Sequence, residues 1–408
     1  MRDAATRRAF LTGGLAIAAV SATAPRAALA QKTYGPGVTE TTIKLGQTAP
    51  YSGPVAIAAT FARAQTAYFQ MVNDQGGING RKVNLISLDD AFSPPKTVEQ
   101  TRRLVEGDEV LFMAGSVGTA TNSAVHRYLN TMKVPQLFLG SGATKWGDPG
   151  NFPWTMGWPP SYQSEGRIYA KYVREHVKEP RVGILYQNDD LGKDIATGLR
   201  LGLGEAAPKL IVKELSHEVT DASIDSQIVN LRAAGANVLL IATTQKFAAL
   251  ALRKSADLGW SEHRFLAFIS SSVAGVLTPA GLDKAAGTIT LQFVKDPTDP
   301  RWSGDAGVRD FLAFLKKYYP EGSPADSQIP YGLSIAQTTA QVIRQCGDEL
   351  TRENVMRQAA NLRNLELPML LPGIRINTGA TDFFPMKQAQ LARFDGKSWQ
   401  LLGEMLSS

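Results

Sequence analysis

Cysteine and histidine are scarce in this sequence, which contains one cysteine and four histidines among 408 residues. A single thiol, Cys346, cannot form an internal disulfide, so no such cross-link stabilises the fold in any compartment. The histidines are scattered without the spacing of metal ligands, and no H-E-x-x-H motif occurs. We therefore expect no metal site and no cofactor, and we expect Cys346 to act as a small buried hydrophobe.

Motifs of the common enzyme classes are also missing. The phosphate-binding pattern G-x-x-x-x-G-K-[ST] does not occur, and Gly115-Ser116-Val117-Gly118 does not match the G-x-S-x-G nucleophile elbow. Asp89 and Asp90 are neighbours at the end of a predicted strand, where successive side chains point to opposite faces. This favours turn residues over a catalytic carboxylate pair, so we expect no enzymatic activity.

Clusters of basic residues are missing as well. The formal net charge of +6 includes residues 1–30, and removing them takes away four arginines and one aspartate and leaves +3. No basic run interleaved with aromatic residues remains, so we expect no binding to nucleic acid. With 44% hydrophobic and 20% charged residues, the composition is globular, and the length suffices for two domains.

The first thirty residues have the features of an export signal. The run Thr6-Arg7-Arg8-Ala9-Phe10-Leu11 precedes a mildly apolar stretch, and Ala28-Leu29-Ala30 is a small-residue cleavage site before Gln31. A transmembrane anchor is the alternative, but a spanning helix needs about 20 strongly apolar residues. We predict a twin-arginine type signal peptide over residues 1–30 and a periplasmic location.

After the signal, strand-like apolar segments alternate with amphipathic segments of helical length, which predicts parallel sheets with crossover helices. Strands are predicted from Thr42 and at Val83–Leu88, Val110–Ala114, Gln136–Leu139, Arg181–Tyr186, Leu210–Glu214, Val238–Ala242, Phe265–Ile269 and Gly287–Phe293. Helices are predicted at Pro95–Glu106, Thr119–Met132, Asp190–Leu203, Ile224–Ala234, Phe247–Leu258, Val308–Tyr319, Tyr331–Cys346 and Arg352–Asn361. The prolines and glycines of residues 146–160 interrupt the series, and residues 386–402 predict a hairpin.

Four motifs occur together in an order typical of one family. They are Y-S-G-P at 51–54, G-G-I-N-G-R-K at 76–82, the pair Asp89-Asp90, and F-L-G-S-G-A-T-K-W at 138–146. With them the chain from Tyr34 to Leu406 resembles the type I periplasmic binding proteins, the substrate-binding proteins of branched-chain amino acid type ABC transporters. The resemblance implies two Rossmann-like α/β lobes, each with a central parallel sheet, joined by three hinge crossovers around a ligand cleft. We predict lobe 1 at 31–156 and 291–368, and lobe 2 at 157–290 and 369–408.

The strongest local signal for binding is the glycine-rich turn after Val110–Ala114. A helix that begins near Thr119 presents unpaired N–H groups and a partial positive charge, and the hydroxyls of Thr119 and Thr121 add donors. A carboxylate suits this end of a helix, although the hydroxyls could instead only cap it. The resemblance implies carboxylate contacts at Thr119, Gly142, Ala143 and Thr144.

The remaining candidate ligand-binding residues come from the resemblance and from the aromatic residues near the crossovers. They are Tyr51, Ala58, Thr121, Trp158, Leu191, Gln245, Ser270 and Tyr331. Aromatic rings at Trp158 and Tyr331 suit an aromatic acid, although crossover aromatics also serve as structural packing. Asp190 is expected to be a helix N-cap rather than a ligand contact.

Ser270 departs from the amino acid binders that this chain resembles, which place an acidic residue nearby to pair with the ligand's ammonium group. A buried ammonium without a counter-charge costs several kcal/mol. We therefore predict a periplasmic receptor of an ABC importer that binds a small carboxylate without an α-amino group.

The alternatives are a branched-chain amino acid binder that uses Asp189 or Asp190, an amide or urea binder, a sensory receptor, and an exported enzyme. The expected partners are the ligand and an inner-membrane ABC permease, and the receptor is expected to be a monomer.

Overall fold

The computed structural model describes residues 32–260 and 262–407. The predicted export signal, residues 1–30, lies outside the described residues. Strands and helices alternate in the first part of the chain. They are β1 Thr33–Tyr34, β2 Thr42–Ala49, α1 Ala59–Asp74, β3 Lys82–Asp89, α2 Pro94–Arg102, β4 Phe112–Ala114, α3 Thr119–Thr131, β5 Gln136–Leu139 and β6 Thr155–Gly157.

Five of these strands form a parallel sheet in the order β3, β2, β4, β5, β6. The strand β2 is buried along most of its length, as expected for a parallel strand covered on both faces. The apolar stripe of α1 is its buried face, which includes Phe61, Ala64, Tyr68 and Val72. This sheet and the helices packed on it are called the first lobe.

A second series follows and ends in a return to the first lobe and a terminal hairpin. Its elements are α4 Tyr162–His176, β7 Val182–Gln187, α5 Asp190–Leu203, α6 Ala207–Leu210, β8 Ile211–His217, α7 Asp225–Ala233, β9 Val238–Ala242, α8 Gln245–Asp257, β10 Arg264–Leu266, α9 Thr278–Ala280, α10 Leu282–Ala285, β11 Ile289–Gln292, α11 Ala306–Tyr318, α12 Gln328–Cys346, β12 Glu349–Leu350, α13 Arg352–Ala359, β13 Gln388–Phe394 and β14 Trp399–Ser407.

Seven strands of this series form the sheet of the second lobe. The strands β8, β7, β9, β10 and β11 run parallel in that order, and the hairpin β13–β14 adds two antiparallel strands beside β11. The helix α12 packs on α1 and so belongs to the first lobe. The fold class predicted from the sequence, two α/β lobes each with a central parallel sheet, is confirmed.

Three passages of the chain connect the lobes: the first leads from β6 to α4, the second from β11 to α11, and the third from α13 to β13. In the first passage the Tyr162 amide donates to the Gly142 carbonyl at 2.7 Å. The second and third passages pair with each other, because the Leu371 amide donates to Phe293 at 2.9 Å and the Lys295 amide donates to Met369 at 2.8 Å. The lobe boundaries stay a prediction. The strand β11 spans the boundary that was predicted between residues 290 and 291.

The structure differs from the sequence-based expectation in several elements. The helix α4 was not predicted, although Ser161 caps it by accepting a hydrogen bond from the Ser164 amide. The strand predicted at Phe265–Ile269 ends at Leu266 and is followed by a 3₁₀ turn. Asp189, not Asp190, caps α5. Within the part of the chain that the structure describes, no helix is long and apolar enough to cross a membrane.

One carboxyl group lies in the core of the second lobe. Glu165 in α4 is completely buried. Its Oε1 accepts hydrogen bonds from the Phe268 amide and the Tyr169 hydroxyl, both at 2.7 Å. Burial raises the pKa of Glu165 to about 8. Its Oε2 has no hydrogen-bond partner among the described residues.

This buried carboxyl is expected to make stability depend on pH. The folded protein holds the Glu165 proton more tightly than the unfolded chain, whose pKa is near the ordinary value of 4.5. The free energy of unfolding should therefore fall as pH rises between these two pKa values, by up to about 1.4 kcal/mol per pH unit. Urea unfolding of the wild type and of the neutral variant Glu165→Gln at several pH values measures this. The wild type should lose stability relative to the variant from about pH 5 to about pH 8, and parallel profiles would contradict the assignment.

Candidate ligand-binding cleft

A pocket lies between the two lobes, where strands of both sheets end and helices begin. Its volume is about 30 Å³, which is room for one or two water molecules. The first lobe and the second lobe both contribute to its wall. The lining residues are Val55, Ala58, Phe61, Phe92, Val117, Gly118, Thr119, Gly140, Tyr162, Leu191, Thr244, Gln245, Ile269, Gln328 and Tyr331.

Among the described residues, no charged side chain lines this cleft, but several helices begin at its wall. The helices α3, α4, α8 and α12 begin with the lining residues Thr119, Tyr162, Gln245 and Gln328, and Leu191 is the second residue of α5. A helix N-terminus carries a partial positive charge. First-turn amides of α4, α5 and α12 donate to side chains of Ser161, Asp189 and Asp326. The helices α3 and α8 face the cleft from opposite lobes, and neither has a side-chain cap. The electrostatic environment therefore favours an anionic group.

The N-terminus of α3 is shaped by a glycine. Gly118, the N-cap residue, has a φ of 98°. A Cβ at this position would lie 2.6 Å from the Phe92 ring and 2.5 Å from the Thr121 hydroxyl, so a side chain would be strained and crowded. The Thr119 hydroxyl does not cap its helix but pairs with the Ser141 hydroxyl at 2.7 Å. The backbone amides of this first turn consequently have no side-chain partner from the cap position.

The other residues expected at the carboxylate have different roles. The Thr121 hydroxyl donates to the Val117 carbonyl at 2.7 Å and holds the turn. Gly142 allows close approach of Tyr162, because a Cβ there would lie 2.9 Å from its ring. Ala143 is buried beside them. Thr121, Gly142 and Ala143 shape the wall but do not line the pocket.

Thr144 is engaged by a carboxylate of the chain itself. Its amide donates to Asp194 Oδ2 of the second lobe at 2.7 Å, and Asp194 Oδ1 also accepts from Gln163 at 3.0 Å. Next to it, Lys145 forms an ion pair with Asp190 of α5. We call Thr144, Lys145, Asp190 and Asp194 the interlobe clamp. It links the two lobes, and Asp194 occupies the Thr144 amide that the resemblance assigns to the ligand.

Three further candidates lie behind the wall. The Tyr51 hydroxyl pairs with Ser87 at 2.7 Å. Trp158 is completely buried, donates from Nε1 to Thr338 at 2.9 Å, and packs against Tyr331 with ring centroids 5.6 Å apart. The Ser270 hydroxyl donates to the Thr243 carbonyl at 2.7 Å, and its neighbour Ile269 lines the pocket instead. These three residues support the wall.

The structure brings five of the twelve candidates into the pocket wall: Ala58, Thr119, Leu191, Gln245 and Tyr331. Most of the lining residues that sequence reasoning missed are apolar or aromatic. Phe61 was assigned to the core stripe of α1 and also lines the cleft, and Tyr162 begins the helix that was not predicted. The same strand-to-helix rule that identified Thr119 could have identified Thr244, which follows β9.

The two acids considered as partners for an ammonium do not line the pocket. The Asp189 carboxylate accepts from the amides of Leu191 at 3.0 Å and Gly192 at 3.3 Å, so it caps α5. Asp190 pairs with Lys145. No acidic side chain of the described residues lines the cleft wall.

A larger cavity, of about 340 Å³, lies elsewhere in the second lobe. It is lined only by residues of α4 and of the hairpin β13–β14, among them Ile168, Tyr172, Leu391 and Leu402. None of the predicted site residues lines it, and no helix begins there. We therefore place the candidate site in the smaller cleft between the lobes.

The fold and the cleft define a class of protein, and comparison with known proteins identifies it. Residues 42–398 match the family model described as periplasmic binding protein. The chain therefore belongs to this family, as a type I periplasmic binding protein of the branched-chain amino acid ABC transporter type. The family consists of solute receptors for transport that work with a ligand and a membrane permease, in the periplasm or outside the cell.

Curated relatives and solved structures agree with this class. The chain is 23% identical over 309 residues to Leu/Ile/Val-binding protein homolog 1 of Brucella abortus, covering 74% of this chain and 78% of that protein. It is 22% identical over 312 residues to an amino acid binding protein of Pseudomonas aeruginosa, covering 75% and 79%.

Among solved structures, a branched-chain amino acid ABC transporter protein of Thermus thermophilus with bound valine gives a TM-score of 0.81 at 17% identity, covering 91% of this chain and 98% of that one. A fatty acid ABC transporter substrate-binding protein of Thermomonospora curvata gives 0.76 at 18% identity, covering 92% and 95%. These structures share the fold with this chain.

Proposed function

We propose that this protein captures a small carboxylate without an α-amino group in the cleft and delivers it to an ABC permease. The observation that carries the proposal is that the uncapped N-termini of α3 and α8 meet at a wall without charged side chains. A carboxylate finds N–H donors and positive potential there, at Gly118 and Thr119 of α3. An ammonium finds no carboxylate to pair with.

The aromatic rings of the cleft wall favour an aromatic ligand. Phe61, Phe92, Tyr162 and Tyr331 contribute aromatic rings to the wall, and rings of this kind favour stacking or edge contact with an aromatic acid. The pocket volume of about 30 Å³ is smaller than any such molecule, so the lobes must separate to admit the ligand. The fatty acid protein of Thermomonospora curvata supports the idea that this fold also serves carboxylates without an amino group.

Hinge closure is the proposed mechanism of capture. The ligand contacts residues of both lobes only when they are together, so its binding free energy shifts the population toward the closed form. The three connecting passages act as the hinge. The protein works as a monomer, which reaches the periplasm by the twin-arginine route before it meets the permease.

A branched-chain amino acid is the second candidate ligand, because the curated relatives include Leu/Ile/Val-binding proteins. In that case an uncharged acceptor of the cleft, such as Gln245, would hold the ammonium. Binding of the same carbon skeleton with and without the amino group separates the two candidates.

Matched ligand pairs test the proposed function. Calorimetry should compare 4-methylpentanoate with leucine, and 3-phenylpropanoate or benzoate with phenylalanine. We expect at least one carboxylate to bind at least about tenfold tighter than its amino acid counterpart, since an unpaired buried ammonium costs more than 1.4 kcal/mol. A ligand at about 100 times its dissociation constant should stabilise the fold by about 2.7 kcal/mol, which thermal-shift screening detects. Tighter binding of leucine or phenylalanine would overturn the proposal.

A further inference from the structure

Two polar atoms of the cleft residues have no hydrogen-bond partner among the described residues. They are Oε1 of Gln245 and the hydroxyl oxygen of Tyr331. Both residues line the pocket, and they are only 4% and 3% exposed. A buried polar group without a partner costs about 1–3 kcal/mol, so such groups are rare in folded proteins and call for a ligand or another explanation.

The orientation of the Gln245 amide is fixed by its neighbour. Its Nε2 donates to the Ile269 carbonyl at 3.2 Å, and the same carbonyl also accepts from Gln328 Nε2 at 3.0 Å. Because a carbonyl oxygen accepts hydrogen bonds and does not donate them, the NH₂ group of Gln245 must face Ile269. Its Oε1 is therefore the free end, and the wall offers one neutral acceptor at this point.

The Tyr331 ring is held rigidly by other rings. Its centroid lies 4.8 Å from Phe61, 5.2 Å from Phe293 and 5.6 Å from Trp158. This packing fixes the position of its hydroxyl group. Burial raises the pKa of Tyr331 well above its ordinary value, so the hydroxyl stays protonated and is a donor. The cleft thus presents an acceptor on α8 and, on α12, a hydroxyl that can donate as well as accept.

The pattern of one neutral acceptor and one donor selects among ligand chemistries. An ammonium carries three donors and a charge, which a single amide oxygen does not balance. A purely apolar ligand would leave both buried atoms without a partner. A hydroxyl group donates one hydrogen bond and accepts others, and so matches Gln245 Oε1 without any counter-charge.

We propose that the ligand is a hydroxy acid, a small carboxylate whose neutral hydroxyl donates to Gln245 Oε1, while the Tyr331 hydroxyl donates to an oxygen of the same molecule. The inference rests on the proposed function, since it needs a carboxylate in this cleft. Gln245 is then the residue that determines specificity, because its neutral oxygen accepts from a hydroxyl and does not balance an ammonium.

Calorimetry on pairs that differ only in the hydroxyl tests this inference. One arm compares 2-hydroxy-4-methylpentanoate with 4-methylpentanoate, and the other compares 4-hydroxybenzoate and 3-hydroxybenzoate with benzoate, which separates aliphatic from phenolic hydroxyl groups. The wild type should prefer the hydroxy acid of one arm by at least about tenfold, because its absence leaves buried polar atoms unpaired.

Two variants complete the test. In Gln245→Met, which keeps the chain length and removes the acceptor, the preference for the hydroxyl should fall to about twofold or less. Gln337→Met is the matched control, because Gln337 Oε1 is also buried without a partner but lies outside the cleft, so the preference should persist. Thermal unfolding of both variants checks that they fold.

The outcomes separate this inference from the proposed function. Equal binding of hydroxy and unsubstituted acids, or a preference that survives in Gln245→Met, would overturn the inference and leave the carboxylate receptor in place. Tighter binding of amino acids than of all these acids would overturn both. A further variant, Gln245→Glu, should shift the preference toward 2-amino acids, since it adds the missing negative charge, and the absence of any shift would count against the role of Gln245.

Discussion

Replacement of Thr119 by aspartate is expected to abolish binding of the carboxylate ligand, with a loss of at least about 100-fold in affinity. Thr119 is the first residue of α3 and lines the cleft. An aspartate there is compatible with the helix N-terminus, so the fold should be retained. Its charge, however, would compete with the ligand for the same amides. Two like charges about 4 Å apart repel by about 4 kcal/mol at an effective dielectric constant of about 20, equivalent to about a thousandfold in affinity.

The neutral variant Thr119→Asn is the matched control for this substitution. Asparagine has the same size as aspartate and also replaces the hydroxyl that pairs with Ser141, so it measures the steric and hydrogen-bonding cost without the charge. We expect a loss of about tenfold or less for this variant. Calorimetry with the same carboxylate gives both affinities. Equal losses in the two variants would show that charge is not what matters at α3, and full binding by Thr119→Asp would contradict the anion site.

Removal of the Asp194 carboxylate is expected to weaken binding by about tenfold or more, although Asp194 does not line the pocket. Asp194 links the lobes by accepting from the Thr144 amide and from Gln163. Hydrogen bonds to a charged group are stronger than neutral ones, and this one exists only while the lobes are together. The variant Asp194→Ala should therefore populate the open form more. Part of the ligand's binding free energy is then used to close the lobes, which lowers the measured affinity.

Asp190→Ala is the matched control for the interlobe clamp. Its ion pair with Lys145 is more exposed, with 50% of the Asp190 side chain accessible, so it should contribute little. We expect a change of about threefold or less in affinity for this variant. Small-angle scattering without ligand should show a larger radius of gyration for Asp194→Ala than for Asp190→Ala. Equal effects of the two substitutions on affinity and on scattering would contradict the assigned role of Asp194.

The fold was predictable because its signals are local and repeated. The strand Gln136–Leu139 was predicted with the bounds that the structure has, and α3 begins at Thr119 as expected. Both follow from an apolar strand, a glycine-rich turn and an amphipathic helix in immediate succession. The helix α4 escaped prediction because Pro159 and Pro160 precede it directly, and the proline-rich stretch was read as a continuous interruption.

The candidate site was only partly predictable. The helix N-terminus at Thr119 could be read from the sequence, since it depends on neighbours along the chain. The partner of the Thr144 amide could not, because Asp194 lies fifty residues away and on the other lobe. The same reason applies to Gln245, whose free amide oxygen depends on the Ile269 carbonyl and hence on how α8 packs against the turn after β10.

The aromatic residues of the site also show that contacts between distant parts of the chain cannot be predicted from the sequence. The sequence predicted Trp158 and Tyr331 to lie near the ligand, because both residues occur at the predicted crossovers. In the structure only Tyr331 reaches the pocket, whereas Trp158 stacks behind it and is anchored to Thr338. Which of two adjacent rings faces a cavity is decided by three-dimensional packing, and periodicity carries no signal for it.

The most direct test of the central claim is a crystal structure of the protein with the small molecule that co-purifies with it, identified by mass spectrometry. The account predicts a carboxylate at the start of α3, within hydrogen-bonding distance of the Gly118–Thr119 amides, with a neutral oxygen of the ligand at Gln245 and no acidic side chain in contact. A ligand bound away from α3, or a cationic nitrogen held by an acidic side chain of this chain, would contradict it.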